Sequence, residues 1–413
     1  MDLAGFVARC LREGDPMQHR GQASHTMARP VQPSAEPPRA TDVAGRLHRA
    51  ACGLLERHRE FSAGATLWRW QKWTCLTAVA TLLAGSAIMP RQTLALLLAI
   101  LAFPFLCVVI LRGMALFTLV TQPSVTPEQP RQPDASLPHY CVLVPLFRET
   151  PVIPGLIRAL AAIDYPTDRL EIFLVLESID HDTRAAIAKC TLPAHMAVVV
   201  VPDGAPRTKP RALNYALQEA TGDYVVIYDA EDVPDPGQLR AALAMLTAPG
   251  QRIGCVQARL RIYTPNESLL TRQFTIEYAA LFDALLPALE RLDLPVPLGG
   301  TSNHFPRAVL DHIGAWDPYN VTEDADLGIR LARAGYAVRI LNSSTGEEAP
   351  PGFRGWRNQR TRWLKGWMQT YLVHMRQPRR LWRELGTRRF IGFQGASSGY
   401  RSTRASASAY LLG

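Results

Sequence analysis

The order of apolar and polar positions divides the chain into distinct stretches. Residues 1–45 are rich in Pro, Arg, Ala and Gln and lack apolar periodicity, which predicts a flexible arm without a secretory signal. Two uncharged apolar stretches follow, "WTCLTAVATLLAGSAIMP" over 73–90 and "LALLLAILAFPFLCVVIL" over 94–111. Each is long enough to cross a bilayer and neither has a polar face, so together they predict a transmembrane helical hairpin over 73–112. A Pro/Gln-rich linker occupies 121–137. From residue 138 the pattern changes again: "CVLVP", "EIFLVLE", "AVVVV", "DYVVIYD" and "IGCVQARL" read as strands separated by segments of helical period. Such alternation predicts an α/β domain over 138–358, with a mainly parallel sheet covered by helices. The segment 210–220 shows the logic at residue level. Pro210 suits a first turn, Leu213, Ala216, Leu217 and Ala220 line one face, and Gly222 can end the helix.

Charge changes this picture mainly through its position. The net charge is +9 and the pI about 9.4, which asks for an acidic partner or surface. The segment 46–72 carries Arg46, Arg49, Arg57, Arg59, Arg69 and Lys72, whereas the turn between the apolar stretches has only Arg91. The positive-inside rule then places both the arm and the domain on the cytoplasmic side of an inner membrane, with Trp68, Trp70 and Trp73 in the interfacial belt. A lipid bilayer is therefore the expected acidic partner. Nucleic acid is not expected, because the basic residues cluster around apolar segments and no recognition motif appears. Seven scattered cysteines with no CxxC pair read as buried small hydrophobes in a reducing compartment, rather than as a zinc cluster or disulfide framework.

Three polar constellations carry candidate chemistry. In "DYVVIYDAEDVPDP", residues 223–236, Asp229, Glu231 and Asp232 follow directly on an apolar strand. Ligands of open α/β sheets gather at such carboxyl ends, and clustered oxygen donors there suit Mg2+ or Mn2+ held beside a phosphorylated substrate. Acids in a turn that caps the next helix are the alternative. In "VTEDADLGIRLARAGY", residues 321–336, Thr322 and the acids after it suit a helix start, where Glu323 and Asp324 either supply a general base or remain solvated. In "NQRTRWLKGWMQTYL", residues 358–372, Gln359, Arg362 and Trp363 combine an amide, a guanidinium and an indole within about one and a half helical turns. That set suits a diphosphate beside a sugar ring. The same segment also reads as an amphipathic helix on a membrane surface.

Taken in order, "VLVPLFRE", "VLES", "KPRALN", "DAED", "GGTSNHF", "TED" and "QRTRW" resemble the family 2 glycosyltransferases over roughly residues 138–394. The likeness is to the membrane-bound processive type, cellulose-synthase-like and similar to the bacteriophage N4 adsorption protein B group. The resemblance implies a cytoplasmic GT-A domain, Rossmann-like with a mainly parallel sheet. It also implies a divalent metal, Mg2+ or Mn2+, and a UDP-sugar donor. Glu149 and Glu177 match positions that bind the uridine, and Lys209 and Asn214 lie beside the nucleotide. Asp229 and Glu231 match the DxD metal positions, with Asp232 as the other candidate for the second acid. Gly300, Thr301, Ser302 and Glu323 match the acceptor side, Asp324 matches the catalytic base, and Gln359, Arg362 and Trp363 match the pyrophosphate and acceptor motif.

The expected function is inverting transfer to a growing glycan with formation of a β-linkage, in company with envelope polysaccharide-export partners. Transfer to a polyprenyl-phosphate lipid is the second reading. Residues 359–394 are expected to form the QxxRW and interfacial region. The Ser/Ala/Arg-rich tail over 395–413 departs from the family's apolar continuation and allows a third reading, a truncated and inactive membrane protein.

Overall fold

The computed structural model describes residues 40–121, 133–250 and 252–410. Most of the expected arm and linker, and the last residues of the tail, lie outside them. Helix α1 (Ala40–Arg57) begins inside the stretch expected to be the arm. Its Ala50, Ala51, Leu54 and Leu55 are buried, and its Arg46 and Arg49 bond Glu219 and Gln218 of the domain. Helices α2 (Arg69–Ile88) and α3 (Pro90–Thr121) follow. Among the described residues only α3 is long and apolar enough to cross a membrane, so the expected pair of spans reduces to one by that measure. Polar side chains are spread along α2, at Lys72, Thr74, Thr77, Thr81 and Ser86, whereas those of α3 flank an uninterrupted apolar stretch over 94–111.

The domain is built from β1 (Tyr140–Leu146), α4 (Ile153–Ala161), β2 (Leu170–Glu177), α5 (His181–Ala188), β3 (Met196–Val201), α6 (Lys209–Leu217), β4 (Tyr224–Ile227) and β5 (Val233–Pro234). It continues through α7 (Gln238–Leu246), β6 (Ile253–Ile262), α8 (Leu269–Ala279), a π-helical turn (Ala280–Leu285), α9 (Leu286–Arg291), β7 (Asn303–Pro306), α10 (Arg307–Ile313) and α11 (Glu323–Arg333). Strand β8 (Ala337–Glu347) and helices α12 (Phe353–His374) and α13 (Pro378–Tyr410), the last kinked at Gly386, complete it. The backbone of 395–410 thus continues α13.

The eight strands form one sheet in the order β3-β2-β1-β4-β7-β6-β8-β5. Strands β3, β2, β1 and β4 run parallel, β6 and β8 pair parallel, and β7 runs antiparallel between β4 and β6. The strand β1 is almost wholly buried, as expected where helices cover both faces. Its alternate residues feed two cores. Leu143 joins Leu213, Val225 and Phe305 on one face, and Val142 and Val144 join Ile172, Leu174 and Leu239 on the other. This topology puts the ends of β1, β2 and β4 side by side. The antiparallel pairing of Ile227 with Asn303 brings the loop before β7 across them.

Cys75, Cys107, Cys141, Cys190 and Cys255 are free thiols. Cys52 is disulfide-bonded, which corrects the expectation for that residue.

Close packing fixes α11 against the loop before β7. A β-carbon at Gly328 would lie 2.4 Å from the Val296 carbonyl oxygen, whereas one at Gly155 in α4 meets nothing within 4 Å. Gly328→Ala should therefore destabilise the fold by about 1–3 kcal/mol, and Gly155→Ala should stabilise it by about 0.5–1 kcal/mol. Thermal or urea unfolding followed by circular dichroism reads both signs.

Candidate active site

At the carboxyl ends of β1, β2 and β4 the chain encloses a cavity of about 780 Å³. Its lining brings together Glu149, Glu177, Lys209, Asp229, Glu231, Gly300, Thr301, Glu323, Asp324, Gln359, Arg362 and Trp363. Three of the sequence-predicted residues are not among them. Asn214 bonds the Ala50 and Trp316 carbonyl oxygens at 3.1 and 2.8 Å and ties α1 to the domain. Ser302 donates to the Thr345 hydroxyl at 2.7 Å in the core. Asp232 is buried beneath the cavity floor, where one oxygen accepts from the Asp229 amide at 2.7 Å and from the Thr301 hydroxyl.

Lys209 opens α6 and is the cation at the centre of the cluster. Its ammonium donates to the Asp229 carboxylate and, at 2.9 Å, to the Gly300 carbonyl oxygen. Burial alone would depress its pKa, but Asp229, Glu323 and Asp232 outweigh that and hold it above the usual lysine range. The acids around it are under-compensated. Burial, then Asp229, pushes Glu231 up to about 7. Burial with Asp229 and Glu231 pushes Glu347 up to about 8, and burial with Asp324 pushes Glu323 up to about 8. Burial followed by Asp229 raises Asp232 well above the carboxylate range.

Among the described residues no three His, Cys, Asp or Glu side chains converge as a ready-made metal cage. The donor set nevertheless fits a hard divalent cation. Asp229 and Glu231 present carboxylates to an open cavity, their negative charge exceeds that of one lysine, and Mg2+ or Mn2+ commonly takes one or two carboxylates with the rest from water and phosphate. Of the two candidates for the second acid, Glu231 faces the cavity and Asp232 fixes the turn beneath it.

Opposite this floor, α11 begins with Glu323 and Asp324. Thr322, expected as a capping residue, makes no side-chain cap; its hydroxyl lies 3.3 Å from that of Thr370 on α12. The preceding loop is held by α12 as well. Gln369 accepts from the Val321 amide at 3.0 Å and donates to the Tyr319 carbonyl oxygen at 2.9 Å, and Asn320 bonds Thr370 at 3.1 Å. Gly366 permits the approach, since a β-carbon there would lie 2.4 Å from the Thr322 methyl. Deeper down, His374 Nε2 lies 3.0 Å from Asp326, whose other oxygen accepts from Arg330 at 2.7 Å. Helix α12 itself reaches the cavity through Gln359, Arg362, Trp363 and Trp367, with Gln359 Oε1 buried and without a protein partner there.

Several residues in or behind the cavity lining were missed in the sequence. Glu347 ends β8 and receives the Tyr278 hydroxyl at 3.3 Å; the strand-end acids of "GEEAP" were its signal. Arg211, buried in α6, donates to Glu177 at 2.5 Å, so that carboxylate already carries a cation. Leu260, Leu281, Phe282 and Leu286 make an apolar wall that no short motif announces.

Residues 138–366 match the family model described as glycosyltransferase like family 2, and the chain belongs to that family. A probable glycosyltransferase, YdaM, of Bacillus subtilis is 28% identical over 233 residues, 56% of this chain and 55% of that protein. The beta-monoglucosyldiacylglycerol synthase of Synechocystis sp. is 30% identical over 242 residues, 58% of this chain and 50% of that protein. Glucomannan 4-beta-mannosyltransferase 2 of Arabidopsis thaliana is 27% identical over 240 residues, 56% of this chain and 45% of that protein. The chain thus spans about half the length of the curated relatives it matches. Among solved structures, a mannosyltransferase of Pyrobaculum calidifontis in complex with GDP-Man and Mn2+ superposes with a TM-score of 0.55 at 24% identity, covering 76% of this chain and 86% of that one. That likeness shows the fold, a mixed α/β GT-A-like architecture with a mostly parallel sheet.

The raised acids give a pH dependence of defined sign. A carboxyl whose folded pKa exceeds its unfolded value binds more protons when folded, so its contribution to stability is complete at low pH and is lost as pH rises. Without divalent cation, the unfolding temperature should fall between the ordinary glutamate value of 4.5 and about 8, the upper values of Glu323 and Glu347. Glu347→Gln should flatten that slope in a pH series of thermal melts.

Proposed function

We propose that the protein is a membrane-anchored, divalent-cation-dependent inverting glycosyltransferase that moves a sugar from a UDP-sugar to a growing glycan and forms a β-linkage. The observation that carries this reading is the meeting, in one cavity, of the strand-end acids Asp229 and Glu231, Lys209, Gln359 and Arg362 of α12, and Asp324 across from them. Asp229 and Glu231 would hold Mg2+ or Mn2+, which when bound supplies positive charge to the departing diphosphate. Arg362 and Lys209 add cationic donors on the same side. Glu149 and Glu177 line the nucleotide side, and Trp363 offers an indole to the sugar or acceptor.

Asp324 is the base in this scheme. As the acceptor hydroxyl oxygen forms its bond to the anomeric carbon, the bond from that carbon to the phosphate oxygen breaks on the opposite face. The hydroxyl proton passes to the Asp324 carboxylate, and one displacement inverts the anomeric configuration. Gly300 faces Asp324, since a β-carbon there would lie 3.5 Å from Oδ2, so residue 300 places no side chain between the base and an acceptor.

Helix α3 would anchor the protein in the inner membrane with the catalytic domain on the cytoplasmic face, close to polysaccharide-export partners. A lipid acceptor, such as a polyprenyl phosphate, is the second reading. It is favoured by the apolar wall of Leu260, Leu281, Phe282 and Leu286 and by the similarity to a beta-monoglucosyldiacylglycerol synthase.

Nucleotide release from UDP-Glc, UDP-GlcNAc, UDP-Gal and GDP-Man, with Mn2+, Mg2+ or EDTA, tests the proposal. Turnover should require the cation, and Asp324→Asn should lower it by about 10²–10⁴-fold. Turnover unchanged by EDTA or by Asp324→Asn would refute it. The acceptor that gains the sugar, glycan or lipid, decides between the two readings.

A further inference from the structure

The loop that presents Asp324 is held from two sides, one by the helix in which the family-matched region ends and the other by a segment that precedes that region. On one side Gln369 and Thr370 of α12 grip residues 319–322, as described above. On the other lies the short connection between α1 and α2, residues 58–68, which precedes the family-matched region 138–366. Its centre is buried. Ser62 donates to Asp317 Oδ1 at 3.0 Å, and the Ala63 amide donates to Asp317 Oδ2 at 2.5 Å. Ser62 and Asp317 are both 0% exposed. Gly64 passes so close to Tyr319 that a β-carbon would lie 2.8 Å from its ring.

The connection is itself pinned. Arg376, just past α12, donates to the carbonyl oxygens of Arg59, Glu60, Ser62 and Ala65 at 2.6–3.2 Å. Trp70 and Gln71 of α2 return bonds to the Arg376 and Leu372 carbonyl oxygens at 3.0 and 2.8 Å. Asp317 does not line the cavity, yet it accepts from the Tyr319 amide at 3.2 Å, and its own carbonyl accepts from Asn320 at 3.1 Å. Tyr319 and Asn320 do line it.

We infer that the hook formed by residues 60–65 is a positioning element for catalysis: by holding Asp317 and Tyr319 it sets the loop that places Asp324 opposite the donor. The inference rests on Asp324 acting as the base. It adds to the family domain a part from the membrane-proximal segment, so the catalytic loop is anchored to the same turn that starts α2. Loss of the hook should misplace the base and leave the donor side, built on β4 and α12, intact.

Four variants of the full chain test this: Ser62→Ala, Gly64→Ala, Ser62→Thr as the conservative rescue, and Asp324→Asn as the reference for the base. A displaced base predicts a fall in kcat of about tenfold or more for Ser62→Ala and Gly64→Ala, with KM for the donor within about twofold. Ser62→Thr should restore most of the rate. Hydrogen exchange should quicken at the amides of 319–322 in Ser62→Ala and remain unchanged in β1. Unaltered kcat, a donor KM that rises as kcat falls, or faster exchange spread over the whole domain would overturn the inference. If the wild type turns over no donor, the reading of Asp324 fails, and hydrogen exchange alone still decides whether the hook holds the loop.

Discussion

One half-buried ammonium organises the site. Lys209 ties the end of β4, through Asp229, to the loop before β7, through the Gly300 carbonyl oxygen. It sits among Asp229, Glu231, Glu323 and Glu347, which it does not balance, and two of those acids are pushed up to about 8 as a result of burial and mutual repulsion. A pocket that holds its acids this close is costly unless protons or cations join them. The lysine fixes the geometry and leaves the remaining charge for a cation and its phosphates to settle. This is the physical reason to read the cavity as a donor site rather than as a structural void.

Helix α12 then relates donor side to acceptor side. Gln359 and Trp363 reach the cavity, Gly366 and Thr370 meet Thr322, and His374 meets Asp326. These positions recur at spacings of three and four, so one face of one helix carries both the groups proposed to meet a diphosphate and the contacts that hold the loop before Asp324. Because a helix is stiff over such a length, the distance between the two sides is set by backbone geometry rather than by flexible side chains. At Gly366 the helix and the loop before Asp324 approach too closely for any side chain, since a β-carbon there would lie 2.4 Å from the Thr322 methyl.

The strands and the ordered motifs were legible because each is local. A Val- and Ile-rich run of four to eight residues bounded by turn residues reads as a strand from its own neighbourhood, and "DAED" follows directly on one. What escaped was the direction in which neighbours point. Asn214 lies five residues beyond Lys209, about 140° around a helix, and so turns toward α1 rather than the cavity. Ser302 and Asp232 adjoin cavity residues in sequence, yet they point into the core. Glu347 and the hook at Ser62 come from distant parts of the chain, and only the fold brings them to the site. The first span of the expected hairpin falls short by the measure of length and apolarity for a simpler reason: Lys72, Thr74, Thr77, Thr81 and Ser86 are spread along α2, whereas α3 holds a stretch, 94–111, free of charge and hydroxyls.

The central claim is that the strand-end acids act with a divalent cation to bind a nucleoside diphosphate. Calorimetric titration of UDP and of GDP into the purified protein, with Mn2+ and with EDTA, for the wild type and for Asp229→Asn, tests it most directly. The account predicts binding of at least one nucleotide to the wild type only when Mn2+ is present, and loss of that cation-dependent binding in Asp229→Asn. Equal affinity with Mn2+ and EDTA, or cation-dependent binding that survives Asp229→Asn unchanged, would contradict it.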